Sequence, residues 1–171
     1  MFLYNSIKMY KLLFDSDALI KAAKAGFLES AASAFKIHIT NDVYNETVEQ
    51  GKKRIYEDAD KIENLVQNKK IFLIKSAKYA KKPKPKQSFG RGETSVFQAY
   101  KKGYLIVTDD LSFASYLNDV SIKNMSCAHV LIALAKKGRI SKEKACYHLE
   151  KLSFFIRKEI YELAKKGIKG E

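Results

Sequence analysis

The chain has 171 residues with 46% hydrophobic content, eight glycines and two prolines, which suits one compact domain with an ordinary core and leaves little room for two. No apolar run approaches the roughly 18 residues of a membrane span, and Leu12-Leu13-Phe14 is too short for a signal-peptide core, so a cytoplasmic protein without a membrane partner is expected. The formal charge of +13, from 32 Lys+Arg against 19 Asp+Glu, points to an anionic partner, nucleic acid first, although a lysine-rich surface can also serve only solubility. Cys127 and Cys146 share no metal-type spacing with each other or with His38, His129 and His148. Neither a disulfide framework nor a zinc site is suggested, and these five residues read as structural.

Residues 1–8 add little pattern and read as a flexible extension or an alternative start ahead of Met9. Met9 to Phe14 is a short apolar run ending at Asp15-Ser16-Asp17, as expected of a strand buried on both faces. Ala18 to Leu28 carries Leu19, Ile20, Ala23 and Phe27 at helical spacing, and Lys36 to Thr40 alternates as a second strand. Thr40 or Asn41 can cap a following helix that runs to about residue 68 with an interruption expected at Gly51. Lys70 to Ile74 reads as a third strand. Residues 75–91 then gather Lys75, Lys78, Lys81, Lys82, Lys84, Lys86 and Arg91 with both prolines, Tyr79 and Phe89, the pattern of an exposed, extended basic loop.

Gly92-Glu93-Thr94 opens a helix that closes on Lys101-Lys102-Gly103, Tyr104 to Val107 makes a fourth buried strand, and Leu111 to Leu117 is a short helix. Ser121 to Ser126 reads as a brief edge strand. Cys127 to Lys137 and Ser141 to Lys169 read as helices, with Ser141 as an N-cap. The alternation predicts a three-layer α/β/α sandwich around a mostly parallel sheet of about five strands over residues 9–138, with a C-terminal helical extension of the same domain over 139–171.

Chemistry in such folds gathers at the carboxyl ends of the strands, where Asp15/Asp17 and Asp109/Asp110 both fall. Carboxylates crowded together repel one another until a cation neutralises them, and oxygen donors without His or Cys select hard ions such as Mg²⁺ or Mn²⁺. An acidic metal site inside a basic surface suits phosphodiester chemistry.

Four motifs in order resemble the PIN-domain ribonucleases, a family that includes the VapBC toxins and many archaeal relatives. They are Leu13-Phe14-Asp15-Ser16-Asp17-Ala18-Leu19-Ile20, the helix segment Thr40 to Glu46, Gly92-Glu93, and Thr108-Asp109-Asp110. Each motif alone is commonplace; the resemblance rests on their order and covers the chain to about residue 125. It implies that Asp15, Glu46, Glu93 and Asp109 bind one or two Mg²⁺ or Mn²⁺ ions and that water, rather than a protein nucleophile, cleaves RNA. Asp110 and Asp17 would be secondary, as water-mediated ligands or as caps, and Thr108 would orient an aspartate. Lys81, Lys82, Lys84, Lys86 and Arg91 would track phosphates, and Tyr79 or Phe89 could stack a base. RNA, an antitoxin protein and a second copy of the chain are the partners the family suggests, although the basic loop and the helical tail depart from the compact toxin pattern. Competing readings are a haloacid-dehalogenase-like phosphatase, with Asp15 as nucleophile and Asp17 as general acid, a non-catalytic nucleic-acid-binding domain, and, least well matched, a receiver domain.

Overall fold

The structure, a computed structural model, describes residues 11–75 and 88–170; the expected N-terminal extension and most of the basic loop lie outside them. Strand β1 (Lys11–Phe14) enters helix α1 (Ser16–Ala25), and α2 (Leu28–Ala34) leads to β2 (Ile37–Thr40). There follow α3 (Asn41–Tyr44), a π-helical turn at Asn45–Glu49, α4 (Gln50–Lys53), α5 (Glu57–Gln67) and β3 (Ile71–Ile74). Helix α6 (Arg91–Ala99), β4 (Tyr104–Val107), α7 (Leu111–Asp119) and β5 (Asn124–Met125) complete the sheet. Helices α8 (Cys127–Lys136) and α9 (Lys142–Leu152), a 3₁₀ turn at Ser153–Phe155 and α10 (Lys158–Lys169) close the chain.

The five strands form one all-parallel sheet in the order β3-β2-β1-β4-β5, flanked by helices, which is the expected α/β/α architecture. Strands β2 and β4 are buried along their whole length and β1 over its last three residues, while the edge strand β3 exposes Phe72 and Leu73. Continuous Leu-Leu-Phe and Leu-Ile-Val runs are what burial on both faces demands. The C-terminal helices join the main core: α8 packs against α9 and α10, α9 packs on α1, and Leu149, Leu152, Ala164 and Ile168 are buried.

Local chemistry sets the element ends. Helix α1 starts two residues earlier than expected, because the Asp15 carboxylate caps it by accepting the Ala18 N–H at 2.8 Å, and it ends at Gly26 in the left-handed region (φ 84°). Leu28, expected to end the first helix, instead opens α2 with residues 29–34, to which the periodicity assigned no element. The break in the long helix falls at 54–56 rather than at Gly51. Gly51 stays helical because its missing side chain admits α5: a Cβ there would stand 2.9 Å from that of Ala59. The turn at 54–56 instead rests on Ile55 with φ 59°.

Candidate active site

The chain leaves β1 for one side of the sheet and later returns to β4 on the other, so the strand order reverses between β1 and β4. At such a point the loops beyond the carboxyl ends part and leave a crevice. Phe14 pairs with Val107, the Asp15 N–H donates to the Val107 carbonyl (3.1 Å), and the Thr108 N–H donates to the Met125 carbonyl (3.0 Å). The ladder thereby delivers Asp15 and Thr108-Asp109-Asp110 side by side.

Asp15 is 1% exposed. One of its oxygens caps α1, and the other, Oδ2, is buried without a partner of hydrogen-bond geometry. Burial pushes its carboxyl up to about 7; the Thr108 hydroxyl and the Ala18 N–H oppose the shift, and Asp17 and Asp109 add to it. Asp109 repeats the arrangement. Its Oδ1 accepts the Cys127 N–H at 2.9 Å, at the start of α8, while Oδ2 is likewise buried without a hydrogen bond. Burial raises its pKa as well, against the pull of that amide and of Lys21. Lys21, one turn along α1, holds Asp17 at 2.5 Å and stands 3.9 Å from Asp109 Oδ2. A lysine thus supplies part of the positive charge the cluster requires.

Glu46 arrives from the π-helical turn, a local widening that often accompanies function. Its two oxygens accept from the Ser16 hydroxyl and from the Gly92 N–H (3.1 Å), tying α1, the π turn and α6 together. The glycine of Gly92-Glu93 is explained by this contact, since a Cβ there would lie 2.5 Å from both Glu46 Oε2 and Ser16 Oγ. A buried hydroxyl relay holds α6 in place: Thr40 and Ser95 hydroxyls meet at 2.6 Å, and Ser95 donates to the Gly92 carbonyl at 2.7 Å. Glu93 turns back to accept the Gly90 N–H at 2.7 Å, capping its own helix. Burial raises its pKa first, with Asp110, Glu46 and Asp17 adding to the rise, so it feels the same acidic field.

All four expected motifs therefore converge, with different degrees of commitment. Among the described residues no three His, Cys, Asp or Glu side chains close into a metal-binding group, because Glu46, Glu93 and Asp17 are turned to internal partners. Asp110 caps α7 by accepting the Phe113 N–H (2.7 Å), and its own N–H donates to Thr108 Oγ1 (3.1 Å). Thr108 thus orders the loop that carries both aspartates. The groups whose chemistry fits a cation are the two buried oxygens on Asp15 and Asp109 that accept no hydrogen bond, hard donors of the kind Mg²⁺ and Mn²⁺ take. Ser16, Lys21 and the Cys127 amide were missed as site groups, although Ser16 and Lys21 lie in or beside the first motif.

Little of the expected nucleic-acid surface is among the described residues. Tyr79, Lys81, Lys82, Lys84 and Lys86 lie outside the described residues. Arg91 is exposed at the start of α6. Phe89 is not a free ring: it packs on Phe113 (5.1 Å between centroids) and Tyr116 (5.3 Å), inside the aromatic cluster that joins α6 to α7. His38 stacks on Phe72 and meets Tyr104 edge-on, and His148 bonds the Ala25 carbonyl, so both histidines serve packing. The Cys127 thiol is buried and donates to the Ala18 carbonyl.

A cavity of about 410 Å³ opens on the acidic cluster, lined by Asp17, Lys21, Asp109, Asp110, Phe155 and Arg157 among others. On the α8 side of Asp109 and Asp110 lies a second hollow of about 480 Å³, walled by apolar residues that include Met125, Ile132 and Leu163. No helix of the described residues is long and apolar enough to cross a membrane.

A doubly wound parallel sheet with an acidic crevice at its switch point is the class of protein these features define. A family model described as a PIN domain matches residues 11–169, and the chain belongs to the PIN-domain family. The match runs through the C-terminal helices, well past residue 125, where the sequence resemblance ended. No curated protein and no solved structure gives a significant match. PIN domains are typically nucleases that act on nucleic acid with divalent metals, and membership sets the phosphatase and receiver readings aside.

Proposed function

We propose that this protein is a Mg²⁺- or Mn²⁺-dependent endoribonuclease. The observation that carries the reading is the pair of buried carboxylate oxygens, Asp15 Oδ2 and Asp109 Oδ2, each without a hydrogen bond, on residues that follow the paired strands β1 and β4 at the switch point. Their burial is costly unless a cation takes them, because an uncompensated buried charge is among the most destabilising groups a fold can hold. A divalent ion held by these two oxygens, with Glu46 and Glu93 close by, would supply activation of water and neutralisation of charge at phosphorus.

The chain's own groups do the rest. The α1 cap and the Cys127 amide each hold one oxygen of the two aspartates and leave the other without a hydrogen bond. The Ser16 hydroxyl and the Gly92 N–H fix Glu46, and Lys21 lowers the repulsion that Asp17 adds. Asp110 lines the cavity, and it and Glu93, both engaged as helix caps, would orient water through their remaining oxygens. The positive surface concentrates the polyanion. An antitoxin partner, a homodimer and a place in the cytoplasm belong to this proposal as family traits.

The test is cleavage of labelled single-stranded RNAs with Mg²⁺ or Mn²⁺ against EDTA, for wild type, Asp15→Asn and Asp109→Asn of equal foldedness. Each variant is expected to lose about two orders of magnitude or more in rate, the scale of removing an interaction worth several kcal/mol in the transition state. Cutting that persists in EDTA, or in both variants, would overturn the reading.

A further inference from the structure

Every ring that the sequence offered to a nucleobase is either packed among other aromatics or outside the described residues, yet the cavity on the acidic cluster has an aromatic wall of its own. It comes from the junction of α9 and α10. The 3₁₀ turn Ser153–Phe155 and the extended Ile156-Arg157 carry Phe155, Ile156 and Arg157 into the lining of the cavity that also holds Asp17, Asp109 and Asp110. Phe155 is 40% exposed, a large apolar surface for a ring beside these aspartates and one that core packing does not require. The Lys24 ammonium lies 5.8 Å from its centroid and 5.5 Å from that of the half-exposed Tyr56, placing positive charge on the same flank. Arg157 is exposed and forms no ion pair with a described carboxylate, although aspartates line the same cavity.

An open aromatic face, an exposed guanidinium and a flanking ammonium make up the equipment of a single-stranded nucleic-acid site, where stacking takes any base and the cations follow the backbone. The volume, about 410 Å³, lies in the range of a small-ligand pocket, roughly 300–1,000 Å³, and so admits about one nucleotide rather than a helix. A duplex keeps its bases stacked internally and would offer this wall only its backbone.

We infer that the α9–α10 junction is the nucleotide subsite next to the scissile phosphate, with the Phe155 ring stacking an unpaired base and Arg157 binding a phosphate of the same strand. This rests on the nuclease reading and adds to it the residues that would hold an unpaired nucleotide beside the acidic cluster. It also gives the C-terminal helices a role in positioning substrate: they hold one wall of the site, and the acidic motifs hold the other.

Binding of a fluorescent single-stranded oligoribonucleotide and of a blunt RNA duplex is measured by anisotropy in EDTA for wild type, Phe155→Leu, Phe155→Tyr and Arg157→Ala, with cleavage rates alongside. Phe155→Leu keeps the apolar bulk and is expected to weaken single-strand binding about 5- to 160-fold, the range for loss of one stacked base, with duplex binding unchanged. Phe155→Tyr should restore it. Arg157→Ala should weaken single-strand binding and flatten its salt dependence by about one counterion. Single-strand binding and cleavage that Phe155→Leu leaves at the wild-type level would overturn the subsite and leave the nuclease standing. Binding that depends on Phe155 without any metal-dependent cutting would retain the subsite and overturn the nuclease. A wild type that binds no single strand would overturn both.

Discussion

Replacing Asp15 by asparagine removes the most deeply buried charge of the acidic cluster while keeping an oxygen that can go on accepting the Ala18 N–H. The carboxyl sits at about 7 in the fold against 3.8 as a free side chain, chiefly because it is buried. At about 1.36 kcal/mol per pKa unit, the shift corresponds to about 4 kcal/mol. The sign follows from proton counting. Between about pH 4 and pH 7 the unfolded chain has lost this proton and the folded one keeps it, so the stabilisation present at low pH drains away across that window and is gone once pH has risen through 7. The amide nitrogen that replaces Oδ2 lacks a built-in acceptor, which costs about 1–3 kcal/mol. In EDTA at pH 8, Asp15→Asn should therefore be more stable than wild type by about 1–3 kcal/mol, with a Tm higher by about 2–4 °C for each kcal/mol. At pH 5 the native carboxyl is already neutral, and the advantage should vanish or reverse. Burial holds His38, His129 and His148 below their ordinary pKa, which makes stability rise with pH, but they are common to both proteins and cancel in the difference. The assay is thermal and urea unfolding at pH 5 and pH 8, with and without Mn²⁺. Added Mn²⁺ should raise the Tm of wild type at pH 8 and leave that of the variant nearly unmoved. A difference between the two proteins that does not change with pH would refute the argument that Asp15 carries an uncompensated buried charge.

Two further substitutions probe the groups that hold the cluster. Gly92→Ala drives a methyl into Glu46 Oε2 and Ser16 Oγ, each 2.5 Å from the Cβ position, and should displace Glu46. Its cost should appear as a loss of about 1–3 kcal/mol in urea unfolding together with a sharp fall in cleavage, and unchanged cleavage would show that Glu46 need not stand where it does. Lys21→Met removes the ammonium beside Asp17 and Asp109, so it should lower Tm in EDTA and tighten Mn²⁺ binding by calorimetry, since the metal no longer shares those carboxylates with a lysine. Weaker Mn²⁺ binding would mean that Lys21 orders the site rather than competing for it.

The order and type of most elements were legible because each carries a local signal. The runs 12–14 and 105–107 are apolar without alternation, so they had to be strands covered on both sides, and an acidic residue within two positions of each marked the end that faces the crevice. Ser141 as the cap of α9 was legible for the same reason. The close of α6 was not: it ends at Ala99 on an extended Tyr100, and Lys101-Lys102-Gly103, expected as its basic last turn and terminal glycine, instead lead into β4. The break at 54–56 was not, because Gly51 follows a tertiary need: α5 crosses so close that only a hydrogen fits, and no window of sequence contains that crossing.

The same division runs through the site. Sequence by itself determined which carboxylates gather, since Asp15 and Asp109 follow strands that the fold places side by side, and Glu46 and Glu93 lie early in the helical segments that start beside them. It could not determine how each is held. Only the tertiary structure decided that Asp15 and Asp109 keep a free oxygen and that Glu46 is taken up by Ser16 and Gly92, residues 30 and 46 positions away along the chain. Which oxygen a hydrogen bond consumes is fixed by the approach of segments that no local pattern relates. Packing also moved the aromatic wall. Phe89 is drawn into the α6–α7 cluster with Phe113 and Tyr116, and among the described residues a ring that lines the cavity beside the acids is Phe155, which the chain reaches only after the whole sheet is built. Burial is a property of the packed whole, so nearness to the acidic motifs along the sequence could not say which ring stays open.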